Sequence, residues 1–179
     1  MTKRALAGVL FLSLALSAGC GGQEPKQAAI DFETEADLDR LVWNCHTRFL
    51  RVNEFATSGE WSLHCWFPES DWPGLSFLDF PTDWSEAGSL TFDFYNPADD
   101  TLTVVVRVDD EDATSEHSDR FNQSFVAPPG PTSVLVLTST VALGPETRPL
   151  DLTRIKQFLI FLSHPGRPVD FYIDNIELR

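Results

Sequence analysis

Between Ser89 and Asn96 the residues alternate strictly: Leu90, Phe92 and Phe94 share one parity, and Thr91, Asp93 and Tyr95 share the other. A repeat of two marks a strand with one buried face, because successive side chains leave a strand on opposite sides. The pattern returns at Trp61, Leu63, Cys65 and Phe67 against Ser62, His64 and Trp66. It returns again at Leu102, Val104, Val106 and Val108 against Thr103, Val105, Arg107 and Asp109. Shorter runs hold Leu41, Trp43 and Cys45 on one parity and Leu50 and Val52 on another. Further strands are expected over Phe121 to Val126, Ser133 to Leu137 and the wholly apolar Phe158 to Leu162. The chain closes on Val169 to Leu178, which is expected to lie beside the segment near Ile30 to Glu33. Turn formers such as Thr57-Ser58-Gly59, Asn96-Pro97 and Pro128-Pro129-Gly130-Pro131 punctuate these runs. Pro68 to Gly88 reads as a long packed loop and Asp109 to Asp119 as an acidic one. No long helical stripe is present. The fold class is therefore all-β, about eight to ten short strands in a two-sheet β-sandwich.

The first residues carry a different message. Ala5 to Ala18 is an apolar run behind Lys3 and Arg4. That is the order of a secretory leader, and the run is shorter than the roughly 20 residues a spanning helix needs. Leu16-Ser17-Ala18-Gly19-Cys20 resembles the lipobox of bacterial lipoproteins, with Ser17 where Leu is commonest. The resemblance implies lipidation of Cys20 after removal of residues 1–19, then a tether over residues 20–29 and one domain over residues 30–179. Gly21, in place of Asp, implies outer-membrane sorting within the cell envelope. The net charge is −14, and loss of Lys3 and Arg4 makes the mature chain more acidic still. Such a chain is repelled by phosphate backbones, so nucleic acid is excluded as a partner.

Two more cysteines remain, Cys45 and Cys65. In an exported protein they are expected to pair as a disulfide worth about 3 kcal/mol in the chain-entropy model. His46 and His64 beside them raise the alternative of zinc. Adjacent strand residues point to opposite faces, however, so one strand cannot aim both Cys45 and His46 at one ion.

Phe32-Glu33, Gly59-Glu60-Trp61-Ser62-Leu63, Asp83-Trp84-Ser85, Phe92-Asp93-Phe94-Tyr95-Asn96-Pro97, Arg120-Phe121-Asn122, Leu150-Asp151-Leu152 and Tyr172-Ile173-Asp174-Asn175-Ile176 follow one another in order. This series resembles the galactose-binding-like jelly-roll domains found as carbohydrate-binding modules and as accessory domains of glycoside hydrolases. The resemblance implies adjacent terminal strands and a structural Ca²⁺. Glu33 and Asp174 fall on the family's acidic ligand positions, with carbonyls expected from the turn near Ser58-Gly59. Calcium takes six to eight oxygens, so two acids from opposite chain ends plus a turn is sensible chemistry.

Parity also gathers a candidate ligand surface: His64, Trp66, Asp93, Tyr95, Arg107 and Asp109, provided their strands are neighbours. Carbohydrate would be its partner, since a pyranose offers an apolar ring face and a rim of hydroxyls, and aromatic platforms with directed polar groups match both. Trp43, Trp61 and Trp84 are assigned to the core or its lid, and Trp72 is left open. The nucleophile-elbow, zinc-protease and phosphate-loop motifs are absent from the sequence. Acids able to act in pairs on glycosides are plentiful, which is not evidence that they do. The expectation is a membrane-anchored, non-catalytic binding domain. Its competitor is a structural or protein-interaction lipoprotein with the same fold and no sugar site.

Overall fold

The computed structural model describes residues 28–179; the leader, Cys20 and most of the tether lie outside the described residues. Among the described residues, eleven antiparallel strands form two stacked sheets. The strands are β1 (Ala28–Ile30), β2 (Leu41–Asn44), β3 (Arg48–Val52), β4 (Ser62–Phe67), β5 (Gly74–Phe77) and β6 (Ser89–Asn96). They continue as β7 (Leu102–Asp110), β8 (Phe121–Ala127), β9 (Gly130–Leu137), β10 (Ile155–Leu162) and β11 (Val169–Leu178). One short helix, α1 (Thr138–Ala142), follows β9, and no described helix is long and apolar enough to cross a membrane.

The first sheet runs β3-β4-β11-β6-β9, with β1 pairing the far end of β11. The second runs β2-β5-β10-β7-β8. This is a jelly-roll β-sandwich, and its terminal strands do meet, Ile30 opposite Ile176. Strand pairing begins at Ala28, two residues ahead of the expected domain start.

The alternating parities fill the space between the sheets. Leu90, Phe92 and Phe94 from β6 meet Val104, Val106 and Val108 from β7 and Phe158 and Ile160 from β10, all at most 1% exposed. Each such side chain contributes about 1.5–3 kcal/mol by leaving water. Trp84 is fully buried among them, its indole N–H donating to the carbonyl of Pro81 at 2.7 Å. In β11 the register against β6 slips between Asp174 and Glu177, and Asn175 sits at φ 53. That bulge lets Ile173 and Ile176, three apart, both face the core.

The structure corrects several expectations. Cys45 and Cys65 form no disulfide. Strand β2 ends at Asn44, and Cys45 and His46 adopt left-handed backbone (φ 55 and 61) that leaves Cys45 exposed where the chain crosses to the other sheet. Cys65 stays in the core, where burial pushes its thiol pKa well up and leaves it a small apolar residue. Leu50 is 63% exposed, because it lies opposite His64 on the outer face while Phe49 packs inward. The loop expected over Pro68 to Gly88 contains β5, which pairs with both β2 and β10. Asp109 and Asp110, expected in a loop, are the buried end of β7.

Candidate functional site

Strand parity fixes the side of a sheet but not which sheet a strand joins. Strands β4 and β6 belong to the first sheet with β11 between them, and β7 belongs to the second. His64, Trp66, Asp93 and Tyr95 therefore share one outer face, and Arg107 and Asp109 lie on the opposite one. The six do not form one surface.

On the first face the residues satisfy one another. His64 stacks on Tyr172 at 4.7 Å, and its Nε2 lies 2.8 Å from Asp170. The Arg48 guanidinium lies 5.2 Å over Trp66. Phe55, from the connection between β3 and β4, lies flat on Tyr95 at 3.6 Å and edge-on to Tyr172 at 4.7 Å. Asp93 accepts from Thr57 Oγ1 at 2.8 Å, Ser133 Oγ at 2.6 Å and Asn175 Nδ2 at 3.3 Å. The cavity left beside this cluster measures about 360 Å³.

The same connection is held by Glu33 and Asp174. Asp174 Oδ2 accepts the N–H groups of Thr57 (2.6 Å) and Ser58 (2.8 Å), and its Oδ1 accepts that of Asn175 (2.7 Å). Glu33 Oε1 accepts the N–H groups of Glu60 and Trp61, both at 2.8 Å. Gly59 passes between the two acids at φ 64, and a Cβ there would lie 2.3 Å from Glu33 Cδ. Burial pushes the Asp174 pKa up, and the amide donors pull against that rise. Arg51, whose guanidinium also lies over Trp61, donates through Nε to the Phe32 carbonyl (2.5 Å) and through Nη2 to that of Glu33 (2.9 Å). Calcium needs six to eight oxygens aimed inward. Here the connection turns N–H groups toward both acids, and a guanidinium already holds the nearby carbonyls. No cluster of three or more His, Cys, Asp or Glu residues able to hold a metal occurs among the described residues. This donor set fits a loop clasp and does not fit calcium.

The second face is open. A cleft of about 630 Å³ runs across β5, β10, β7 and β8. Val105, Leu159 and Phe161 supply an apolar floor, and Gly74 lets β5 approach, since a Cβ there would stand 2.5 Å from Phe161 Cβ. Trp72, 52% exposed, forms a wall edge-on to Phe161 at 6.0 Å and to His164 at 4.3 Å. Arg107 Nε and Nη2 donate to the Asp109 carboxylate at 2.9 and 2.5 Å, and the Gln157 amide donates to it as well. Arg120 Nε and Asn122 Nδ2, both lining the cleft, are buried without a hydrogen-bond partner. Burial, then repulsion from Arg107, pushes the Arg120 pKa down, against the pull of Asp109 and Glu116.

Two frame elements fix this cleft. Arg148 donates through both terminal nitrogens to the buried Asp110 (2.6 and 2.8 Å) and through Nε to Asp119 (2.7 Å). It thereby ties down the segment that carries His117 and Arg120. Burial works to raise the Asp110 pKa, but the Arg148 and Asp151 hydrogen bonds outweigh it and hold the carboxyl below its ordinary range. Sequence reading missed Arg120, Asn122, Gln157 and Phe161. A signal existed in the shared parities of Arg120 with Asn122 and of Gln157 with Leu159 and Phe161. It was masked because Phe158 to Leu162 is apolar on both parities.

No family model matches the chain, and no curated protein sequence matches it. Solved structures do share its fold, and among them are carbohydrate-binding modules. One is the family 11 module from Clostridium thermocellum, described in complex with a β-1,3-1,4-mixed-linked tetrasaccharide: 15% identity, TM-score 0.62, over 85% of this chain and 94% of that one. Another is the CBM22-1 xylan-binding domain of Xyn10C from Paenibacillus barcinonensis, at 14% identity and TM-score 0.61, over 85% and 92%. An exo-β-agarase matches at 19% identity and TM-score 0.64, but the chain spans only 24% of that enzyme.

Proposed function

We propose that the domain binds carbohydrate in the cleft of the second sheet, has no catalytic activity of its own, and is held at the membrane through lipidated Cys20. The observation that carries the binding reading is the open cleft itself. It joins an aromatic wall and apolar floor to polar groups, two of which are buried with nothing to bond. A pyranose ring lying against Trp72 would present its rim of hydroxyls to Arg107, Gln157, Asn122 and Arg120. Buried unsatisfied donors cost about 1–3 kcal/mol each, and a ligand oxygen relieves that cost. The likeness to one module described in complex with a mixed-linked tetrasaccharide and another described as xylan-binding supports the same reading at the level of fold. The anchor rests on the sequence around Cys20.

Affinity electrophoresis of the domain through a panel of soluble polysaccharides tests the binding reading. At least one should retard wild type, and Trp72→Ala should run free in it. If no polysaccharide slows the wild type, the cleft is not a glycan site. Turnover of the retarding polysaccharide by purified protein would refute the non-catalytic reading. For the anchor, Cys20→Ser should move the full chain from the membrane to the soluble fraction and abolish incorporation of labelled fatty acid.

A further inference from the structure

The charge lining the cleft is one-sided: Arg107 and Arg120 contribute guanidiniums to it. No carboxylate lines it, and the neighbouring Asp109, 3% exposed, already accepts from both Arg107 and Gln157. Among the buried polar atoms of the cleft lining, the two left without partners, Arg120 Nε and Asn122 Nδ2, are both donors. Arg120 continues the extended backbone of β8 by one residue, so its side chain and that of Asn122 leave on the same side, and both line the cleft. Most described arginines have a carboxylate within ion-pair distance, among them Arg51, Arg107, Arg148 and Arg167. Arg120 forms no such pair among the described residues; Asp109 and Glu116 attract it from farther off, and the Arg107 guanidinium repels it. Two guanidiniums, those of Arg107 and Arg120, line a cleft whose lining includes no carboxylate, and that favours an acceptor-rich, negatively charged group. A hydroxyl oxygen can accept from these donors, but a planar or tetrahedral oxyanion takes Arg Nε–H and an amide N–H together and with charge.

Resting on the glycan reading of the cleft, we propose that its ligand is an anionic polysaccharide whose carboxylate or sulfate group is held by Arg120 and Asn122 while the sugar ring lies against Trp72. The rest of the molecule argues against accidental adhesion of such a polymer. With a net charge of −14 the protein repels polyanions overall, so binding of one reports a local cationic site.

The test compares four probes in affinity electrophoresis: polygalacturonate and a sulfated galactan as charged polymers, and unsubstituted xylan and mixed-linkage β-glucan as neutral ones. Wild type should bind one charged polymer at least roughly tenfold more tightly than either neutral polymer. Which polymer wins separates carboxylate from sulfate. Arg120→Gln should erase that preference, and Arg120→Lys, which keeps the charge, should retain part of it. Thermal melting of both variants confirms that each is folded. Equal binding of charged and neutral polymers, unchanged in Arg120→Gln but lost in Trp72→Ala, overturns the anionic ligand and leaves the glycan cleft standing. Retention by none of the four overturns this inference, and failure across the wider panel removes the glycan reading as well.

Discussion

The two outer faces of the sandwich are built from the same kinds of residue and reach opposite states. On the first, Tyr95, Tyr172, His64, Trp66 and Asp93 are each engaged by another part of the chain, and Phe55 occupies the ring face of Tyr95 that a ligand would need. On the second, Trp72 and Phe161 stand at an open cleft and two donors lack partners. Residue type alone therefore does not mark a binding face. What marks it is whether the surrounding connections close over the aromatic groups or frame them. The connection between β3 and β4 closes over the first face; that between β7 and β8 is tied back beside the second.

The tie gives the largest expected effect. Asp110 is fully buried against Arg148, and removing one member of such a pair strands the other. Asp110→Asn should lower stability by about 3 kcal/mol and weaken glycan binding as His117 and Arg120 lose their anchor. The pH dependence has a definite sign. Because the folded pKa of Asp110 is depressed, its contribution is present above the ordinary carboxyl range and lost as pH falls through the depressed value. The melting gap between wild type and variant should thus be widest near neutrality and narrow in acid. A gap that holds constant to the most acidic pH the fold survives would show that Asp110 acts by packing alone.

Next in size is the contrast between the faces themselves. Trp72→Ala should cost about 30-fold in glycan affinity, or roughly 2 kcal/mol, with little change in melting temperature because the indole is half exposed. Trp66→Ala and His64→Ala, on the closed face, should leave affinity unchanged in the same titration. Loss of binding in the His64 or Trp66 variants instead would move the site to the first sheet.

That contrast also shows what the sequence could and could not reveal. Alternation in β4, β6 and β7 is strict, so which side chains face the core was legible residue by residue. Sheet membership was not, because β6 and β7 are consecutive in sequence yet lie in different sheets, and nothing in either strand's own pattern encodes that crossing. The four residues of β5 were hidden because Trp72-Pro73-Gly74 reads as a turn, although Gly74 is the first residue of the strand. The pairing of Cys45 with Cys65 failed on a single local feature, the left-handed backbone that ends β2 one residue early. The meeting of the terminal strands was legible from the end segments themselves, Ile30 to Glu33 and Val169 to Leu178, whose motifs open and close the ordered series behind the family resemblance.

A smaller effect probes the closed face. Phe55 holds a φ of 56, a conformation unfavourable for a bulky residue, and its stacking on Tyr95 and Tyr172 offsets that strain. Phe55→Ala should destabilise the domain by about 1 kcal/mol, read by denaturant titration, and leave glycan affinity as it was. A gain of glycan affinity in the variant would mean that Phe55 covers a second site, and the faces would then differ only in being plugged or open.

The smallest expected effect is none, and it decides how the first face is closed. A calcium ion present at a hundred times its dissociation constant adds about 2.7 kcal/mol to stability, which a chelator removes. Glu33 and Asp174 stand where such an ion would bridge the chain ends, but their inward oxygens already accept five amide N–H groups between them. Binding calcium would require those donors to rotate away and carbonyls to replace them, while Arg51 released the Phe32 and Glu33 carbonyls. Melting temperature should therefore be the same in chelator and in millimolar calcium. A rise with calcium would show that the connection between β3 and β4 can reverse its amides, and would turn a clasp made of hydrogen bonds into one made by a metal.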